Sequence, residues 1–179
     1  MRFSDWIRVL LLLPGIAVAQ SPEEVTETAQ AVFGSPVRLE ALVTRFSAPV
    51  RAELTRRNDG AHPWEKVAAW RAVHDGTTVG AVFVDNVKGK SRPITYLVAF
   101  DMEGGIVGME VLRYRESHGG EIRAPMFRKQ FTGKTHADPL RVGTDIRNIS
   151  GATISCRAVA RGARALATLI QYLREERKL

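Results

Sequence analysis

The sequence predicts an α+β domain in which an antiparallel sheet packs against an N-terminal helix and a long C-terminal amphipathic helix. Two observations lead to this expectation. The middle of the chain has four apolar segments of strand length separated by turn residues, and the segments on either side have apolar residues at helical spacing. The length of 179 residues suits one domain, and 45% hydrophobic with 25% charged residues is typical of a globular protein.

Residues 1–19 are predicted to be a signal peptide that is cleaved after Ala19. Arg2 and Arg8 make the start positive, and the apolar stretch that follows ends in Ala-Val-Ala, the small-residue pattern of a cleavage site. The stretch is shorter than the ~20 residues that span a bilayer, which favours cleavage over an uncleaved N-terminal anchor, the alternative. We therefore expect a periplasmic or secreted protein.

Residues 20–66 are expected to form an N-terminal helical segment of the same globular unit. Ser21 suits an N-cap, Pro22 suits the first helical position, and an apolar stripe at helical spacing runs to Gly34. Residues 37–57 are ambiguous, because their apolar spacing is helical but prolines interrupt the segment.

Residues 67–179 are expected to form the main domain, which begins with strands. Asp75-Gly76 suits the positive φ angles of a tight hairpin turn. Residues 87–92 read as a basic loop between two such hairpins. The four expected strands are residues 67–74, 77–84, 94–100 and 106–114.

The most regular pattern lies in residues 154–173, which are predicted to form one amphipathic helix against the sheet. Its arginines fall mostly off the apolar stripe and are expected on the exposed face. A short helix is expected before it, at residues 126–131. The apolar stripe recurs in steps of four and three at Val159, Ala163, Leu166, Ile170 and Leu173.

The composition excludes several kinds of site. One cysteine rules out an intramolecular disulfide, a Cys-rich zinc site and a self-contained iron–sulfur cluster, and the four histidines have no metal-ligand spacing. The net charge of +7 leaves an anionic partner open. Nucleic acid is disfavoured as that partner, because the export signal separates the chain from it and no basic strand face carries interleaved aromatics.

The residues that enter the last helix suit a phosphate group. Ser150-Gly151-Ala152-Thr153 and Ser155 place hydroxyls and accessible backbone where the N–H groups of a helix start are unpaired. Arg157 and Arg161 follow one and two turns later and add positive charge. The alternative is that a Ser or Thr only caps the helix.

This segment resembles the flavinylation motif of the FMN-binding domain family, which includes the covalent-FMN subunits of sodium-pumping NADH:quinone reductases and Rnf-type complexes. Residues 104–112 resemble the strand pair of that family, and residues 114–120 resemble its Glu-containing, Gly-bearing loop. Residues 127–134 match its Phe-x-x-Gln-Phe-x-Gly-Lys stretch. The resemblance covers about residues 77–172 and implies that the chain binds FMN.

The resemblance also implies where FMN binds. It makes Thr153 the residue that takes FMN through a phosphoester, installed by a separate flavin transferase. Glu116 has a second interpretation, as a brace of its own loop. The motif departs from the family at Arg147, where Asp is common, and the nearest acid is Asp145. The other cofactor-binding positions implied are Ser150, Gly151, Ala152, Ser155, Glu116 and Gly119.

The function expected from these features is electron transfer outside the cytoplasm. The sequence has no paired acid and base for a substrate, which favours a carrier over a self-sufficient oxidoreductase. Family analogy makes a membrane cytochrome or a quinone-linked reductase the expected redox partner, with an extracytoplasmic acceptor. The alternative is a module that holds FMN or another phosphate-bearing ligand non-covalently and has no redox role.

Overall fold

The computed structural model describes residues 21–42, 45–58 and 64–179. The predicted signal segment, residues 1–19, lies outside the described residues. The helices are α1 (Pro22–Phe33), α2 (Ala48–Arg57), α3 (Pro125–Arg128) and α4 (Thr153–Glu175). The strands are β1 (Arg38–Ala41), β2 (Ala68–His74), β3 (Thr77–Lys88), β4 (Pro93–Asp101) and β5 (Ile106–Tyr114). Among the described residues, no helix is both long and apolar enough to cross a membrane.

The five strands form one antiparallel sheet in chain order, which confirms the predicted α+β class. The tight turn between β2 and β3 has Asp75 at φ 47° and Gly76 at φ 78°, as the Asp-Gly pair predicts. The basic loop is shorter than expected, because β3 continues to Lys88 and pairs there with Pro93. Val87, which was expected in the loop, is therefore part of strand β3.

The segment that the sequence left open, residues 37–57, forms β1 and α2. Strand β1 pairs with β2 at one edge of the sheet, so the N-terminal segment contributes a strand as well as helices. Pro49 lies in the first turn of α2, where its missing N–H has no helical acceptor. Pro49 therefore fits the start of the helix and does not break it.

The central strands are covered on both faces, which gives two apolar clusters. Side chains that alternate along a strand point to opposite faces. On one face, Phe83, Tyr96 and Phe100 pack in the cluster that contains α4, and the rings of Phe83 and Phe100 meet edge-to-face at 5.7 Å. On the other face, Val82 and Leu97 pack in the cluster that contains α1.

Helix α4 is almost entirely buried on one side, because small residues let it approach the sheet closely. Gly162 is the extreme case: a Cβ there would lie 2.8 Å from Val87 Cγ1 and 2.9 Å from Tyr96 Cζ. The helix matches the predicted range to within two residues at its C-terminus and starts one residue early, at Thr153. Thr153 is therefore the first residue of a rigid element.

The segment between β5 and α4 is anchored to the core by aromatic residues. Phe127 and Phe131 are buried and meet edge-to-face at 5.4 Å. Gly133 N–H donates to the carbonyl of Ile106, and Ile106 N–H donates to that of Lys134, so this segment is fixed to the start of β5. The predicted short helix at 126–131 is present as α3 followed by a 3-10 turn.

Candidate functional site

The turn that leads into α4 leaves the start of the helix uncapped. Ala152 is the N-cap residue, and no side chain among the described residues caps the helix. Gly151, at φ 80°, turns the chain in the left-handed region that glycine adopts at little cost. Ser150 and Thr153 therefore do not act as caps, and the N–H groups of the first turn remain without a side-chain acceptor.

Thr153 is half-buried, and its hydroxyl is oriented by one neighbour. The Asn148 side-chain amide donates a hydrogen bond to Thr153 Oγ1 at 2.8 Å, across the turn that Gly151 makes. Because the amide is the donor, the Thr153 hydroxyl proton remains available to another acceptor. Sequence reasoning missed Asn148, which precedes the recognised motif.

Ser155 points into the protein rather than towards the open side of the turn. It is 4% exposed, and its oxygen lies 2.9 Å from the Tyr114 hydroxyl. The Tyr114 hydroxyl donates its proton to the carbonyl of His118, so Ser155 is the donor in their shared bond. Tyr114 thereby joins the loop after β5 to the first turn of α4, a role that sequence reasoning did not assign to it.

Gly119 lies where that loop passes closest to the turn. Its φ is 85°, and an added Cβ would lie 2.7 Å from the Tyr114 hydroxyl and 3.1 Å from the Ala152 Cβ. The structure thus brings two of the predicted cofactor-binding residues, Gly119 and Ala152, close together. The absence of a side chain at Gly119 permits this approach.

Glu116 lies in the same loop and braces the turn between β3 and β4. Its Oε1 accepts hydrogen bonds from the backbone N–H groups of Ser91 at 2.6 Å and Arg92 at 2.9 Å. The N–H of Arg92 and then that of Ser91 hold the pKa of the Glu116 carboxyl below its ordinary value. These contacts agree with the second interpretation of Glu116, in which its side chain braces a loop.

Acid is expected to loosen the loop that Glu116 braces. A carboxyl with a lowered folded pKa stabilises the fold above its unfolded pKa and loses that contribution as pH falls through the folded value. Hydrogen-exchange protection factors at Ser91 and Arg92 should therefore fall in that acid range. In Glu116→Gln they should be low and independent of pH across it, whereas the same pH dependence in that variant would contradict the assignment.

Asp145 supports the loop before the motif and does not substitute for an acid at Arg147. Its carboxylate accepts the N–H groups of Leu140 at 3.1 Å and Arg141 at 2.8 Å and pairs with Lys134 Nζ at 2.9 Å. Burial alone would raise the pKa of Asp145, but the Arg141 N–H, Lys134 and the Leu140 N–H outweigh it and the pKa is lowered. The Arg147 N–H is bonded to Gln130 Oε1 at 2.7 Å.

Two clefts open beside this turn. The glycine cleft, of about 570 Å³, is lined by residues 117–121 and by Gly151. The arginine cleft, of about 550 Å³, runs between α4 and the segment before the motif. The lining of the arginine cleft is Asn58, Pro139, Leu140, Arg141, Val142, Ile154, Arg157, Ala160, Arg161 and Arg164. Ile154, the residue directly after Thr153, is part of this lining, so the arginine cleft begins beside the first turn of α4.

Comparison with known proteins finds a matching family model and solved structures of similar fold. Residues 89–168 match the FMN-binding domain family. The crystal structure of Shewanella oneidensis NqrC superimposes with a TM-score of 0.52 at 21% sequence identity, which is a likeness of fold. The match covers 62% of this chain, which spans 62% of the length of that one. No curated protein matches the chain.

Proposed function

We propose, on the premise that residues 89–168 belong to the FMN-binding domain family and that FMN is their cofactor, that this chain is an exported electron carrier with FMN joined to Thr153. The observation that carries the proposal is the position of Thr153, half-buried at an uncapped helix start. The N-terminal signal pattern supports the exported location.

The groups around Thr153 fit the phosphate end of FMN. No side chain in the described part of the chain accepts from the first-turn N–H groups of α4. A helix start attracts anions through its unpaired N–H groups and partial positive charge. Arg157 lies one turn further and is exposed. Backbone N–H groups are donors that suit a phosphate, and the guanidinium adds positive charge near it.

Attachment requires the Thr153 oxygen to be free on one side and held on the other. The Asn148 amide holds it, and the left-handed turn at Gly151 leaves open space in front of the backbone. In the proposed step a bond forms between Thr153 Oγ1 and the FMN phosphorus, and the hydroxyl proton leaves. A flavin transferase supplies the FMN group from a flavin dinucleotide: the P–O bond between its two phosphates breaks, and a nucleoside monophosphate leaves with the bridging oxygen.

The chain supplies position and charge rather than substrate chemistry. When bound, FMN supplies the capacity to accept and release electrons. Tyr114, Gly119 and Ser155 hold the loop after β5 against the first turn of α4, which keeps the site rigid. The redox partner we propose is a membrane cytochrome or a quinone-linked reductase, by family analogy.

A second candidate is a module that holds FMN without a covalent bond. The observation that favours it is Arg147, which stands where the family commonly has an acid, while the neighbouring Asp145 is engaged by Lys134 and two backbone N–H groups. A transferase that needs an acid there would not modify Thr153. FMN would then be held by the same phosphate-binding groups alone.

The two candidates are distinguished by whether flavin stays with the denatured chain. We expect the chain produced with a flavin transferase to keep flavin fluorescence after denaturation, and Thr153→Ala to lose it entirely, because the oxygen that forms the ester is gone. Ser150→Ala is the matched control, an exposed hydroxyl in the same turn, and should keep the signal. Flavin that leaves every variant on denaturation would support non-covalent binding.

A further inference from the structure

Four arginines line the arginine cleft, which begins one residue after Thr153. Arg157 and Arg161 are exposed on α4, and Arg141 lies on the opposite wall. Within the described part of the chain none of these three side chains has an ion-pair partner, and Arg164 completes the arginine lining. The described lining contains no Asp or Glu.

The arginines of α4 are spread along the helix and are not clustered at one place. Ile154, Arg157, Arg161 and Arg164 follow each other in steps of three and four, so they lie on one stripe of α4 that extends over ~15 Å. Guanidinium groups keep their charge at any physiological pH, and like charges on one stripe repel each other. A ligand with several carboxylates along its length would remove that repulsion, whereas a single small anion would contact only part of the line.

We propose that the arginine cleft is the docking surface for an acidic face of a redox partner protein. The proposal rests on the proposed function, since it makes this the partner that exchanges electrons with FMN at Thr153. Ile154 is 51% exposed at the Thr153 end of the cleft, which gives the surface an apolar contact beside its charges. Arginine also binds carboxylates through two parallel hydrogen bonds, which suits an acidic protein face.

Docking at this place brings a partner to the cofactor. The cleft starts at the residue after Thr153, so a protein seated in it lies against the turn that carries FMN. Charge complementarity mainly accelerates association and makes it sensitive to salt. We therefore expect association with an acidic partner to weaken as ionic strength rises.

The first test uses the flavin-free full chain and a fluorescent glutamate-rich peptide. We expect Arg157→Glu with Arg161→Glu to weaken peptide binding about tenfold, and added salt to weaken binding to the unaltered chain. The control is Lys129→Glu with Arg177→Glu, which makes the same charge change at exposed positions outside the cleft and should leave binding nearly unchanged. Equal weakening by both pairs would overturn the proposal.

The second test uses the flavin-loaded chain and two small oxidants of opposite charge. In the variant with Arg157→Glu and Arg161→Glu, ferricyanide should oxidise the reduced flavin more slowly and hexaammineruthenium(III) should oxidise it faster. The control pair should show neither change. The peptide experiment needs no FMN, so failure to load flavin leaves it interpretable. Binding to anionic phospholipid vesicles but not to the peptide, abolished by the cleft pair, would assign the surface to a membrane and overturn the proposal.

Discussion

Replacement of Gly162 by Ala is expected to lower the free energy of unfolding by about 3 kcal/mol. The added methyl would overlap the Tyr96 hydroxyl and lie 2.8 Å from Val87 Cγ1, so α4 must move away from the sheet or Tyr96 must move. Tyr96 is fully buried, and its hydroxyl donates to Asp85 Oδ2 at 3.1 Å, so displacement also breaks a buried hydrogen bond. The gain of about 1 kcal/mol in helix propensity is smaller than these losses.

Urea and thermal unfolding measure this effect. For a chain of this size, a change of about 3 kcal/mol corresponds to a fall of about 6–12 °C in the melting temperature. The control is a double-mutant cycle with Tyr96→Phe, which removes the oxygen that the new methyl overlaps. The two changes should be less than additive. An unchanged melting temperature in Gly162→Ala would mean that α4 does not need its close approach to the sheet.

Replacement of Gly119 by Ala is expected to slow the proposed attachment of flavin to Thr153 by about 10- to 100-fold while leaving the fold in place. The new Cβ would lie 2.7 Å from the Tyr114 hydroxyl and 3.1 Å from the Ala152 Cβ, and φ at this position is 85°. The cheapest relief is a shift of the turn that carries Thr153, because that turn has solvent on its other side. Backbone strain at the same position costs about 1 kcal/mol of stability.

Two other glycines separate the effect of the contact from that of the substitution. Gly120→Ala adds a methyl into open space at the next position, and Gly133→Ala adds one in open space at φ 80°. We expect both to keep the attachment rate, and Gly133→Ala to lose only stability. The measurement is the time course of covalent flavin with purified transferase. Equal rates in Gly119→Ala and Gly120→Ala would contradict the role given to this approach.

Helical and hairpin periodicity predicted the elements with strong local signals. The α4 stripe, the Asp75-Gly76 turn and the Ser21 cap rest on interactions between residues a few positions apart, and the structure has all three. Strand β1 could not be predicted from local pattern, because it has only four residues and lies at a sheet edge, where pairing with β2 decides the conformation. That pairing is a long-range contact with no local pattern.

The candidate site also combines features that local sequence predicts with contacts that only packing creates. The motif around Thr153 and its position at a helix start are properties of the sequence, because the hydroxyls, the glycine and the helical stripe follow each other along the chain. The inward direction of Ser155 also follows from helical geometry, since two residues turn a helix by about 200°. That signal was present in the spacing, and it separates Ser155 from Thr153.

The sequence by itself determined the fold class, the last helix and the residues that resemble a flavin-attachment motif, because each depends on neighbours along the chain. Only the tertiary structure decided which distant groups meet there. Tyr114 at the end of β5 and Gly119 in the loop after it reach the motif. Glu116 is held by the turn between β3 and β4, and Arg141 faces the α4 arginines across a cleft. These contacts depend on how strands and helices pack, and packing brings together residues that have no fixed spacing in the sequence.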